Sequence, residues 1–327
     1  MARLTYVDLA KAIAIILVVV GHYFPDNAPS CYIALRSWIY TFHMPLFMFL
    51  SGFIYISFKK EESYISFVAK KAKRLVIPYF AISVIIISIK LLSQRGLLVE
   101  NPVSPTSYLH IFYYPAAGYF LWFLWALFTY FLIIPFFRTV KARLILLLMS
   151  FLLHYVFTLH SIELFAINES SRNLIWFVLG TVFYDYVNTP FAQRTNNSYR
   201  NIQKTLVVLL FSIASILFFF KIPYIQNTLP WLGIAAITAL TSWLANFKTN
   251  PCVRTLSLIG TSCFTIYLFH TTFEGFAKSL LHKVSFGSDI SFTFSAIFCI
   301  LIGVTIPIFL HFFFQKFKVT RILFGLK

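Results

Sequence analysis

Charge is scarce in this chain, and what there is leans to one sign. Only 11% of the 327 residues are Asp, Glu, Lys or Arg, ten acidic against 27 basic, where soluble domains carry about 25%. With 59% hydrophobic and 20% aromatic residues and a mean hydropathy of +0.81, the apolar surface exceeds what one soluble core can hide, so the excess must face lipid. Cysteine is equally sparse. Cys31, Cys252, Cys263 and Cys299 lie far apart with no Cys-x-x-Cys pair and no zinc-type His or Cys spacing, which argues against both a disulfide framework and a metal site. They read as small apolar packing residues. Long polar stretches are missing too: the longest connections, 59–74, 94–118 and 188–204, leave no room for a soluble domain. Residues 1–327 therefore read as a single membrane domain, with no repeat of fixed period.

A net charge of +17 would suggest nucleic acid in a soluble protein. On a hydrophobic chain the simpler cause is the positive-inside bias of cytoplasmic loops, and no nucleic-acid partner is expected. The first apolar stretch has the length of a signal peptide, but Asp8 and Lys11 interrupt its start and no small-residue cleavage site follows His22. It is expected to stay as a membrane helix.

At about 20 mostly apolar residues per span, the pattern predicts an all-α, polytopic integral membrane protein with about ten transmembrane helices. These fall near 5–24, 36–58, 75–93, 119–138, 143–160, 171–187, 205–220, 228–246, 256–277 and 290–314. Placing both termini in the cytoplasm puts most of the 27 Lys and Arg residues on that side, as the positive-inside rule requires.

Ionisable groups inside a bilayer cost roughly 2.5–3.5 kcal/mol each on insertion scales, so each is a candidate for function. Asp8, Lys11 and His22 are spaced three and eleven apart, which places all three along one face of the first helix. A rise of about 1.5 Å per residue sets Lys11 near one boundary and His22 about 16 Å further on. The face could hold an anionic cofactor at Lys11 and move a proton at His22. Its structural alternative is a snorkelling Lys11 paired with Asp8 and an interfacial His22.

The second span reads TFHMPLFMFLSGF. His43 precedes Pro45, which frees a backbone carbonyl, and Gly52 permits close approach of another helix or a ligand. The connection KKEESYISFVAKKAKR at 59–74 interleaves Tyr64, Phe67 and Val68 with six basic residues. It fits an interfacial helix on anionic lipid and equally a landing site for a polyanionic cofactor.

The run YVDLAKAIAIILVVVGH, then FHMPLFMFLSGF, KRLVIPY, LWFLWALF and IGTSCFTIYLFH, resembles in content and order the membrane-bound acyltransferase 3 family, which includes bacterial envelope sugar O-acyltransferases. The resemblance implies that His22 is catalytic and that His43 belongs to the site. It implies that Lys11 stands where the family often has Arg, and that Lys73 and Arg74 lie on the cofactor side. Lys keeps the charge but loses the bidentate fork. The resemblance also implies acyl-CoA, foremost acetyl-CoA, as donor. The acceptor would be a cell-surface polysaccharide or lipid-linked sugar, and the location a bacterial inner membrane. No metal cofactor is implied.

A neutral imidazole suits removal of a proton from a hydroxyl attacking a thioester. An acyl-histidine relay is the other route. A carboxylate usually orients such an imidazole. Asp8 lies about four turns away, too far on its own helix, so Glu163 or Glu169 is expected to serve, with Asp185 and Glu274 as further acids near the membrane. His154, His160, His282 and His311 read as packing or interfacial residues, and His270, closing IYLFH, as the one to watch. Trp122, Trp125 and Trp176 read as interface-belt residues. The competing reading is a transporter or flippase for an envelope glycan, which would be expected to show two related halves; none is visible.

Overall fold

The computed structural model describes residues 5–25, 28–94, 96, 99, 101–159, 162, 164–189, 197–282 and 289–326. Among them there are helices and turns and no strand. The helices are α1 (Thr5–His22), α2 (Ser30–Ser57), α3 (Tyr64–Ser93), the single turn α4 (Ser107–His110), α5 (Trp122–Ile133), α6 (Val140–Leu159), α7 (Ile167–Val187), α8 (Asn197–Phe219), α9 (Ile225–Leu244), α10 (Pro251–His282), α11 (Asp289–Phe314) and α12 (Lys318–Leu323). Short 3₁₀ turns at Tyr119–Leu121 and Ile134–Phe136 extend α5 at both ends.

Each of the ten apolar segments is helical. Eight are long and apolar enough to cross a membrane; α7 and α9 fall outside that set. In α7 the cause is visible, since Glu169, Arg172 and Asp185 lower its hydropathy. Several helices begin well before their apolar runs. Thus α3 starts at Tyr64, where the Ser63 hydroxyl accepts from the Ser66 amide at 3.3 Å. Before α10 the Asn250 side chain accepts from the Cys252 amide at 2.9 Å, and Pro251 opens the first turn. The basic stretch 64–74 is therefore the first part of α3 itself, not a separate interfacial helix.

The windows of α8 and α6 are only 6% and 17% buried, against 56% and 67% for α1 and α2. The former pair presents its surface to lipid, and the latter carries the interior.

The chain divides into two compact units. The first comprises Met1–Leu50, Phe183–Glu274 and Ser285–Ile308. Within it α9 packs against α8 and α1, and the Trp38 indole of α2 donates to the Ser215 hydroxyl of α8 at 3.0 Å. Gly260 lets α10 lie directly on α1: a Cβ there would overlap the Asp8 carbonyl. The second unit comprises Ser51–Val182, Gly275–Val284 and Phe309–Lys327. In it α3 packs on α5 and α12 on α3, while the buried Tyr79 and Tyr130 hydroxyls donate to the carbonyls of Ile111 (2.7 Å) and Ser170 (2.5 Å). Gly52 plays the same part as Gly260, since a Cβ there would overlap the Phe177 carbonyl.

The contact at Gly260 gives a direct test. Gly260→Val must push two backbones apart and is expected to destabilise by about 1–3 kcal/mol or more, as overpacking does. Gly275→Ala meets nothing within 4 Å and should be neutral or stabilising by about 0.5–1 kcal/mol, the gain of Ala over Gly in a helix. Thermal unfolding of both variants in detergent measures the contrast, and equal melting temperatures would remove the close approach.

Candidate active site

α1 ends at His22, and the way it ends builds the site. A terminating helix leaves its last carbonyls without intrahelical donors, and in an apolar setting each needs another partner. Val19 is served by the Tyr23 amide at 3.2 Å. The next two are served from α2: the Tyr32 hydroxyl donates to Val20 at 2.6 Å, and Arg36 Nε donates to Gly21 at 2.9 Å. α2 starts at Ser30, ahead of the expected boundary near 36, so Tyr32 as well as Arg36 is carried on the helix.

Around half-buried His22 the first unit assembles a row of rings. The His270 imidazole of α10 meets it edge-on, centroids 5.1 Å apart. Tyr40 lies 6.2 Å from His22 and 4.8 Å from His43. His43 and His270 are buried at 3% and 0% exposure. His43 Nδ1 lies 2.9 Å from the Ile39 carbonyl, and His270 Nδ1 lies 2.9 and 3.1 Å from those of Tyr267 and Ile266. A carbonyl only accepts, so both Nδ1 atoms carry the hydrogen, and in the neutral rings Nε2 holds the lone pair. His270, His43 and Arg36 all act electrostatically on His22. Among the described residues an acid of this neighbourhood is Glu274, one turn beyond His270, 5% exposed and acting on Tyr32 and Tyr40. Gly303 of α11 makes room for it, since a Cβ there would come within 2.9 Å of the Glu274 Cγ.

At the other end of α1, Lys11 and Asp8 form an ion pair at 2.6 Å, with side chains 26% and 10% exposed. About 16 Å of helix separates this pair from His22. Lys73, Arg74 and Glu169 belong to the second unit. There Lys70 pairs with Glu62 at 2.5 Å, and that hydrogen bond holds the exposed Glu62 carboxyl below its usual range. Lys71 sits 3.8 Å from the Phe131 ring centroid. Lys73 and Arg74 are exposed. Glu169 lies in the first turn of α7, its Oε2 buried without a hydrogen-bond partner among the described residues, like Asn168 Oδ1 beside it. Glu163 and His160 lie outside the described residues.

His154 and His311 serve local structure, the first against the Arg172 carbonyl at 2.7 Å and the second beside Gln315 at 3.0 Å. Trp122 and Trp176 are buried at 9% and 5% exposure, and Trp125 packs edge-on to Tyr79 at 5.1 Å, so Trp122 and Trp176 are packing residues and not an interface belt. Among the described residues no group of three or more His, Cys, Asp or Glu is placed to hold a metal ion. Sequence reasoning passed over Arg36 and Tyr40. Their signal was the spacing of Arg36, Tyr40 and His43 at i, i+4 and i+7, one face of a helix.

The model of a protein family described as an acyltransferase domain, that of the acyltransferase 3 family, matches residues 4–312. The chain belongs to the acyltransferase 3 family. It is a multi-pass membrane acyltransferase. No curated protein and no solved structure matches it. All five motifs and the whole His22 cluster of this acyltransferase fall within the matched residues, whereas α12 lies beyond them.

The ion pair on α1 of the acyltransferase can be tested by a double-mutant cycle. Lys11→Met alone removes the cation paired with a largely buried Asp8 and should cost up to about 3–5 kcal/mol. Asp8→Asn with Lys11→Met should cost clearly less, because both charges go together. Denaturant unfolding of the three variants decides it, and additive single costs would mean that the pair contributes nothing as a pair.

Proposed function

We propose that this acyltransferase moves an acyl group, acetyl in the first instance, from acyl-CoA to a hydroxyl of a cell-surface polysaccharide or lipid-linked sugar. His22 does the proton chemistry. The observation that supports this is the gathering of His22, His270, His43 and Arg36 at the one place where α1 stops and its carbonyls are held from α2. In the direct route the imidazole takes the hydroxyl proton as the oxygen attacks the thioester carbonyl carbon. The carbon–sulfur bond then breaks, and the departing thiolate takes the proton from the imidazolium. In the acyl-histidine route the ring carries the acyl group between donor and acceptor. Both pass through His22.

Lys73 and Arg74, exposed on α3, are assigned to the phosphates of coenzyme A, together with Lys11 at the far end of α1. We assign ten spans in a single membrane domain, with α7 and α9 included, both termini in the cytoplasm and the acceptor outside. Glu274 takes the orienting position that Glu163 or Glu169 was expected to fill, because it shares the first unit with His22.

Two variants separate the roles. His22→Ala should lower acyl transfer by about 10²–10⁴ while leaving acyl-CoA affinity and the folded state intact. Arg74→Ala should weaken acyl-CoA binding by about 1.5–3 kcal/mol, one charge-assisted contact. Calorimetric binding and turnover on the same preparations measure both. Near-parental turnover in His22→Ala would sink His22 as the reacting group, and unchanged affinity in Arg74→Ala would take Arg74 out of the donor site.

The orientation has its own test. In a chain with its native cysteines replaced, a cysteine introduced within 94–118 should react with an impermeant thiol reagent added to intact cells, and one within 194–200 should not. The reverse pattern would overturn the cytoplasmic termini and the donor side with them.

A further inference from the structure

Arg36 does more than close α1. Its Nε is used by the Gly21 carbonyl, and the guanidinium is stacked on two rings, 4.4 Å from the centroid of Phe24 and 4.5 Å from that of Tyr40. Among the described residues Nη2 reaches the Tyr40 hydroxyl, at a long 3.4 Å. Among the described residues no carboxylate lies in an ion pair with Arg36, unlike Lys11 with Asp8 or Lys70 with Glu62. A guanidinium in a membrane-spanning segment without a counter-ion is costly, and a carbonyl cap needs only one N–H of its five. The remaining donors are held in the plane fixed by the Gly21 contact, one residue from His22 in the chain, and the two rings that stack on the guanidinium are themselves exposed.

We propose that Arg36 is the anion-binding element of an acceptor subsite beside His22, and that the acceptor is an acidic sugar whose carboxylate or phosphate lies within about one ring of the hydroxyl that is acylated. This rests on the acyltransferase reading. The fork of a guanidinium matches both acids bidentately, and one such contact next to the base fixes which hydroxyl faces it. Among the described residues the titratable groups around it are His22 of α1, His43 of α2, and His270 and Glu274 of α10, with the Tyr32 and Tyr40 hydroxyls of α2. Glu274 acts on those two tyrosines and supplies no ion pair to Arg36.

The test measures binding of glucose 1-phosphate, glucuronate and glucose to the purified full-length protein in detergent, without acyl-CoA. Both acids are expected to bind about tenfold or more tighter than glucose, the equivalent of one charge-assisted contact. R36Q should bring them to the glucose level, and R36K, which keeps the charge and loses the fork, should weaken them in part. A tighter glucose 1-phosphate indicates a phosphate-linked sugar, and a tighter glucuronate a uronic acid. K248Q removes an exposed basic side chain beyond the end of α9 and should leave the preference in place. The proposal is overturned if the parent binds glucose as well as the acids, if R36Q and R36K bind acids like the parent, or if the preference disappears in K248Q alone. Should R36Q fail to fold, the parent's ranking of the three ligands and R36K still decide. Acyl-CoA turnover on the same parent keeps the two claims apart. Turnover without acid preference refutes only the acid subsite, whereas Arg36-dependent acid binding in a protein that turns over no acyl-CoA supports the subsite and refutes the acyltransferase reading.

Discussion

A helix that stops among apolar groups must find donors for its last carbonyls, and that requirement shapes the His22 end of α1. An unsatisfied carbonyl away from water costs several kcal/mol, so α1 cannot end at His22 unless something else supplies the hydrogen bonds. Tyr32 and Arg36 do so from α2. Once they are in place, α2 is fixed against the end of α1. Tyr40 and His43, one and two turns along the same face, are then brought toward His22. The close approach of α10 at Gly260 runs that helix beside α1 and delivers His270 to the ring of His22.

The two ends of α1 carry different electrostatics. At the Asp8–Lys11 end the charges cancel pairwise. At the His22 end the cation is held by a backbone carbonyl and two aromatic faces, which neutralise nothing. An aromatic face orients a guanidinium and lowers the penalty of burying it, but it leaves the net charge available to a ligand. That difference separates a structural pair from a group kept for recognition.

The histidines are graded in the same way. His43 and His270 have their Nδ1 hydrogens committed to backbone carbonyls of their own helices, so their tautomers are set by local helix geometry and their Nε2 atoms face away from those bonds. His154 also has a backbone carbonyl for Nδ1, yet it sits on an exposed part of α6 with no partner ring of this kind. Commitment of one nitrogen and placement of the other distinguish a site imidazole from a packing one.

Composition, the spacing of apolar runs and the five motifs determined a great deal without coordinates: a helical membrane protein, its ten helical segments, the acyltransferase 3 family, and the pairing available to Asp8 and Lys11. These are properties of local period, length and order, which a linear sequence carries directly. The sequence pointed to His22 and His43 but took Arg36 only as a basic residue at the outer end of the second span, because a charge census counts sides of a membrane and not what a side chain reaches. It named Glu163 and Glu169 as acids for His22 from loop position alone; Glu163 lies outside the described residues, and Glu169 opens α7 in the second unit. It also placed Trp122 and Trp176 at the lipid interface, although their rings are packed inside. Only the tertiary structure decided that Arg36 closes α1, that His270 is the imidazole against His22, and that Glu274 is buried one turn beyond His270. Each of these depends on which residues of α2 and α10 come to rest against the end of α1, and that is fixed by carbonyl satisfaction and by the backbone contact at Gly260, both of which exist only between segments distant in the chain.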